Sequence, residues 1–212
     1  WPLSILGAKL PQALMAGNTV VVKPSELSVL APCLTLQKIA EMFPPGVINI
    51  VTGDAAEIGD SLVGHPLVRF VNFTGSVRIG KHVMKVAADQ MTPVTLELGG
   101  NDAAIVCADA RLDETAFMNM YLGTFMSSGQ VCMALKRLYV HRSRYDEVIE
   151  GLEAVCNRMV VGDGLLPDTN MGPVNNAKQL QIITSMIEQA RSAGAEAVSY
   201  THLTLPTNTT VE

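Results

Sequence analysis

Residues 18–51 read NTVVVKPSELSVLAPCLTLQKIAEMFPPGVINIV, and this stretch decides the fold. Residues 18–22 form a short β-branched run that suits a buried strand, stopped at Lys23-Pro24 because proline has no N–H to give a ladder. Residues 27–43 carry apolar side chains at helical spacing, and Pro44-Pro45-Gly46 ends that pattern. Residues 47–51 form a second apolar, β-branched run, closed by Thr52-Gly53. A strand, a helix and a strand in so short a span predict a βαβ unit with parallel strands.

The same alternation continues outward. Residues 55–63 predict a helix, 68–73 a third strand, 77–88 a helix and 93–98 a fourth strand. Four strands about 25 residues apart, with helices between them, predict a parallel sheet. After Gly99-Gly100 the pattern restarts. Residues 103–107 and 138–141 predict strands, and 112–125, 145–160 and 176–193 predict helices. Residues 162–173 form a loop rich in Gly, Pro and Asp. The glycine pair marks the expected boundary between two α/β domains, 1–98 and 99–197. No internal repeat is present.

Composition narrows the function classes. The 212 residues are 48% hydrophobic, with a mean hydropathy of +0.27, enough to bury a sizeable core. The net charge of −5 and the scarcity of basic clusters argue against nucleic acid or an anionic membrane as partner. No apolar run reaches the roughly 18 to 20 residues that span a bilayer. The cysteines Cys33, Cys107, Cys132 and Cys156 form no C-x-x-C pair, which points to a reducing, cytoplasmic setting rather than a disulfide scaffold. The chain starts at Trp1 rather than Met, so a leader ahead of it stays open. His65, His82, His141 and His202 have no metal-ligand spacing, and no metal is expected.

Four places could carry chemistry. Thr74-Gly75-Ser76 lies between a predicted strand and a predicted helix, where ligands of open parallel sheets bind. The first N–H groups of that helix favour an anion, Gly75 lets phosphate approach the backbone, and Ser76 can cap the helix. An ordinary capped turn explains the tripeptide equally well, and no G-x-G-x-x-G follows the first strand. Lys23 and Glu26 flank the end of the first strand; they offer a cation and an acceptor for ribose hydroxyls, or are two solvated charges. Glu97 stands between two leucines at a strand end. Burial there would make it a better base near neutral pH, whereas an edge strand would leave it solvated on the face it shares with Thr95. Cys132 follows Gly129-Gln130-Val131 amid small residues that leave room for a substrate, and a nearby helix N-terminus would favour its thiolate. The other three cysteines lie in apolar runs and suit buried structural roles.

Taken in order, the segments AGNTVVVKPSE (16–26), PPGVINIVTG (44–53), FTGSVRIG (73–80), LELGG (96–100), GQVC (129–132) and MGP (171–173) resemble the aldehyde dehydrogenase superfamily. The resemblance runs from Trp1 to about Ala197. It implies a Rossmann-like cofactor domain followed by part of a second, catalytic α/β domain, in a chain that oxidises an aldehyde to a carboxylic acid with NAD or NADP. By position, Lys23 and Glu26 resemble the residues that hold the adenosine ribose, and a carboxylate at 26 favours NAD over NADP. Gly75 and Ser76 resemble the pyrophosphate contact, Gly99 the glycine beside the cofactor, Glu97 the general base and Cys132 the nucleophile. The Cys132 N–H would serve as one oxyanion donor. The whole protein would be a homodimer or homotetramer acting on a small aldehyde.

The chain also departs from the family pattern. The family's oxyanion Asn would precede position 1, and the E-x-F-G-P segment that grips the nicotinamide ribose is absent from these residues. Ser127 stands where many members have Asn, and Asn101 where many have Lys. Residues from about Val198 (VSYTHLTLPTN) leave the pattern and look like a translated adapter, so 198–212 reads as a non-native tail. The 212 residues alone are therefore expected to be inactive. Two other readings are a coenzyme-A-acylating semialdehyde dehydrogenase, against which Glu97 counts, and a non-catalytic cofactor-binding protein on the same scaffold, against which Glu97 and Cys132 count together.

Overall fold

The computed structural model describes residues 1–195; the tail at 198–212 lies outside the described residues. The chain divides into two compact units, Trp1–Leu98 and a second that begins at Gly99. The first unit runs α1 (Pro2–Met15), β1 (Val20–Val22), α2 (Leu30–Ala40), β2 (Ile48–Ile50), α3 (Ala55–Val63), β3 (Val71–Thr74), α4 (Val77–Ala88) and β4 (Val94–Glu97). The second contains β5 (Asp102–Val106), α5 (Glu114–Phe125), β6 (Leu135–Val140), α6 (Tyr145–Cys156) and α7 (Ala177–Ser192).

All strand pairs are parallel, as the βαβ reading requires. β1 pairs with β2 from Val20 opposite Ile48 to Val22 opposite Ile50. β3 pairs with β4 from Val71 opposite Val94 to Thr74 opposite Glu97. In the second unit β5 pairs with β6, with a register shift after Asp102. The four strands of the first unit form two separate hydrogen-bonded pairs rather than one four-stranded ladder. Each ladder closes within its own strand–helix–strand unit, while α3 links the pairs without a ladder of its own.

The core beside β1 and β2 gathers Leu10, Leu36 and Ile48, with Leu6, Leu14, Val20, Ile39 and Phe43 packed against them. Leu6, Leu10 and Leu14 recur every fourth residue and so line one face of α1. Leu36 is fully buried, which by itself stabilises the fold by about 2 kcal/mol. α1 is not legible in the sequence, because Gly7 and the internal Pro11 both read as helix breakers; Pro11 lacks the N–H that would meet the Gly7 carbonyl. α2 starts three residues later than the periodicity suggests. The Ser25 hydroxyl accepts from the Leu27 N–H and the Ser28 N–H bonds the Ser25 carbonyl, so a turn precedes the helix. Pro32 is then accommodated in the first helical turn, where its missing N–H has no intrahelical partner to lose.

In the second unit α5 packs on α6, and Val148, Val155 and Tyr121 are buried. A side chain at Gly151 would collide with the Phe117 ring, so this glycine permits the close helix approach. Ile105 and Tyr139 face each other across β5 and β6, yet are 75% and 53% exposed. Among the described residues no helix is long and apolar enough to cross a membrane.

Candidate active site

The first part of the site is the turn between β3 and α4. Ser76 is the N-cap of α4, in extended backbone, and its hydroxyl accepts the Ile79 N–H at 3.3 Å. The next N–H groups, of Val77 and Arg78, have no intrahelical acceptor by helix geometry. The Gly75 N–H donates to the Glu97 carbonyl at 3.0 Å, which carries the β3–β4 ladder one step into the turn. A Cβ on Gly75 would lie 2.5 Å from the Phe73 Cζ. The backbone must therefore stay bare where an anion would approach.

At the ends of β1 and β2, the Lys23 ammonium donates to the Pro24 carbonyl at 3.0 Å, the Gly53 carbonyl at 3.2 Å and Glu26 Oε2 at 3.3 Å. Lys23 thereby ties the end of β1 to the end of β2, and its three hydrogens are all engaged. Glu26 is half exposed, so its second oxygen faces solvent. The two charges form an ion pair, which the sequence reading does not anticipate.

Glu97 ends β4. It is not buried: its side chain is 56% exposed, and Lys9 Nζ of α1 lies 3.3 Å from Oε1. Of the two placements the sequence leaves open, a buried carboxylate or one solvated on an edge strand, the structure has the second. The physical reason is that β4, among the described residues, pairs on one side only, with β3, which leaves Glu97 at an edge as the last residue of the ladder. Lys9 escaped the sequence reading because it lies 88 positions from its partner on a helix hidden by proline. Gly99 follows at the start of the second unit. A Cβ there would meet nothing within 4 Å, so neither crowding nor a left-handed backbone demands glycine at this position.

Cys132 occupies a turn between a short 3-10 turn (Met126–Gly129) and β6. Among the described residues no helix begins at Cys132, so its own segment supplies no helix N-terminus to favour the thiolate. The thiol is exposed, while Val131 and Ala134 on either side are buried. The turn before it is strained. Ser127 and Ser128 adopt left-handed backbone at φ 53° and 58°, and Gly129 follows at 73°. A left-handed non-glycine residue costs about 1–2 kcal/mol, and such conformers persist only where surroundings over-determine them. Here Ser128 Oγ donates to the Gly172 carbonyl at 2.7 Å, and Gln130 Oε1 accepts the Asn175 N–H at 2.9 Å. The Gln130 amide nitrogen also donates to the Ser127 carbonyl at 2.9 Å.

The remaining cysteines differ. Cys33 and Cys156 are partly buried, but Cys107, expected to be buried, is exposed just past the end of β5. Burial pushes the Cys156 thiol above its ordinary value, which keeps it neutral and a poor nucleophile.

Comparison with known proteins gives this geometry a context. The sequence model of the Aldehyde dehydrogenase family matches residues 1–209. The mitochondrial succinate-semialdehyde dehydrogenase of Arabidopsis thaliana is 39% identical over 199 residues, 93% of this chain and 38% of that protein. The structure of betaine aldehyde dehydrogenase from Staphylococcus aureus, solved with NAD+, superposes with a TM-score of 0.87 at 36% identity, covering 93% of this chain and 39% of that one. An NADP-dependent enzyme of E. coli superposes with a TM-score of 0.84 at 37% identity, covering 93% and 41%. The chain thus spans about 40% of the length of the relatives it matches. It belongs to the aldehyde dehydrogenase family.

Proposed function

We propose that this chain carries the cofactor-binding and nucleophile-bearing part of an enzyme that oxidises an aldehyde to a carboxylic acid with NAD(P)+. The observation that carries the reading is the 3.0 Å hydrogen bond from the Gly75 N–H to the Glu97 carbonyl. It sets a bare, helix-capped anion cradle and a carboxylate at adjacent strand ends.

The residues fit a dinucleotide. Gly75, the Ser76 hydroxyl and the first N–H groups of α4 suit a pyrophosphate, and the free oxygen of Glu26 suits ribose hydroxyls. A carboxylate at that place repels a 2′-phosphate, which favours NAD over NADP. Bound there, the dinucleotide supplies the hydride acceptor that leaves a thioester on the enzyme. The chain's own groups do the rest. The Cys132 Sγ attacks the aldehyde carbon, forming an S–C bond and sending the carbonyl electron pair to oxygen. The Cys132 N–H receives that oxyanion. For hydrolysis, Glu97 takes a proton from water, whose oxygen attacks the thioester carbon; the C–S bond breaks, returning the thiolate and releasing the acid. Lys9 holds Glu97 in place between these events.

In the protein that includes the rest of the family's length, Cys132→Ala is expected to abolish aldehyde-dependent NADH formation, and retained turnover would refute the reading. Glu97→Gln is expected to leave a first-turnover burst of NADH and slow the steady state at least a hundredfold, within the span general-base catalysis supplies, about 10²–10⁴. The 212 residues alone are expected to be inactive. The whole protein is expected to form a homodimer or homotetramer in the reducing cytoplasm.

A further inference from the structure

Lys136, the second residue of β6, turns its ammonium back over the Cys132 turn. Nζ donates to the Ala134 carbonyl at 2.9 Å and the Cys132 carbonyl at 3.0 Å, and reaches the Val131 carbonyl at 3.5 Å. The Asp102 carboxylate on the neighbouring strand stands 3.9 Å away. The Val131 carbonyl also accepts the Ala134 N–H at 3.1 Å, so it is held from two sides. Three carbonyls of one four-residue turn thus converge on a single cation, which offsets the repulsion between their dipoles.

This convergence has a directional effect. In a planar trans peptide the C=O and the N–H of the same group point to opposite sides, and the described residues contain no cis peptide. A Val131 carbonyl held toward Lys136 aims the Cys132 N–H away from Lys136. A Cys132 carbonyl held the same way aims the Met133 N–H likewise. The first of these is the N–H assigned above to the oxyanion.

We propose that Lys136 is a positioning residue for the nucleophile: it fixes the peptide planes on both sides of Cys132 and so orients the oxyanion donor. The proposal rests on the reading of Cys132 as nucleophile. Lys136 touches neither substrate nor cofactor in this role; it acts through the backbone.

The test compares two reactions of the same thiol in the 212-residue chain, resolved from the other cysteines by peptide mass mapping. Iodoacetamide reacts by displacement of iodide and needs no oxyanion donor. With p-nitrophenyl acetate the Cys132 thiolate adds to the ester carbonyl, an oxyanion forms, and collapse breaks the C–O bond to expel p-nitrophenolate and leave an acetyl thioester. Rates are taken per thiolate, from the pH profile of alkylation in each variant, so that removing a charge near the thiol does not enter the comparison. Lys136→Met is expected to lower the ratio of acylation to alkylation about tenfold, a fraction of the 10²–10³ that follows complete loss of an oxyanion donor. Lys136→Arg is expected to restore the ratio to within about threefold of the parent. Should the Met variant not fold, Lys136→Gln, which keeps an amide donor without the charge, is expected to give an intermediate ratio. An unchanged ratio in the charge-removing variants, or an equal fall in both reactions, overturns the proposal. So does a parent chain that alkylates at Cys132 but does not acylate. Failure of the underlying reading is seen separately: full-length Cys132→Ala protein that still oxidises aldehydes removes Cys132 as nucleophile whatever Lys136 does.

Discussion

The turn at Gly75-Ser76 and the turn before Cys132 are built in opposite ways. The first is relaxed and local. It continues a strand ladder through one hydrogen bond, caps its own helix with Ser76 and asks only that Gly75 carry no side chain. The second is strained and held from afar. Three consecutive residues are left-handed; Ser128 among them is tied to Gly172, and Gln130, which follows them, to Asn175. A turn meant to receive a ligand can be an extension of regular structure. On the proposed reading of Cys132, a turn that presents a reactive atom lifts it clear of regular structure, and remote contacts offset the strain.

Substitutions can break or sharpen this contrast. Gly129→Ala is expected to have the largest effect, a loss of about 1–2 kcal/mol in denaturant unfolding, because an L side chain at φ 73° is sterically disfavoured. A neutral result would mean that the left-handed run relaxes freely. Ser128→Ala removes the 2.7 Å bond to Gly172 and should cost about 1 kcal/mol; it should also raise hydrogen exchange at Gln130, which a purely surface hydroxyl would not. Ser76→Ala should cost about 0.5–1 kcal/mol through loss of the helix cap, while leaving hydrogen exchange around Cys132 unmoved. If Ser76→Ala loosened that turn as well, the two would not be independent. Ser127→Asn should stabilise by a few tenths of a kcal/mol, since Asn enters the left-handed region more readily than Ser; destabilisation would show that the serine side chain itself matters.

Alkaline titration supplies a control outside both turns. The folded-state thiol of Cys156 is raised above its ordinary value of 9.0, so its contribution to stability is whole below about pH 9 and is lost as the pH rises through the folded value. Thermal stability should decline from pH 9 upward, and less so in Cys156→Ala. An unaltered slope in that variant would assign the decline elsewhere, with Tyr121, raised by burial and by Cys156, as the first group to examine.

The contrast also explains what was legible in the sequence. β-branched runs, proline stops and glycine boundaries act over a few residues, so α3 and α4 occur at the spans the periodicity predicts, 55–63 and 77–88. The Ser76 cap is equally local and is legible in the sequence, whereas the Lys23–Glu26 ion pair, though only three positions apart, is not. What it does not show is set at long range. Lys9 beside Glu97 depends on how α1 folds back, and α1 itself is masked by Pro11. The exposure of Glu97 depends on β4 having one partner strand rather than two. The left-handed run at 127–129 could not be read at all, because serines carry no signature for that conformation; only Gly129 hints at it. Lys136 lies close in sequence to the carbonyls it binds, yet a lysine in a strand reads as a solvated charge.

The remote ties of the turn before Cys132 impose an order in time. The bonds to Gly172 and Asn175 span 44 and 45 residues. At a ribosomal pace of about 5–20 residues per second, those partners are synthesised roughly 2–9 s after Ser128 and Gln130, which they bind. During that interval the newborn chain carries the Cys132 turn without the contacts that hold it, whereas the thiol itself is exposed in the finished structure as well. Chains stopped short of residue 172 should therefore lack the restraint on Ser128 and Gln130, and hydrogen exchange at Gln130 should be faster in them than in the 212-residue chain.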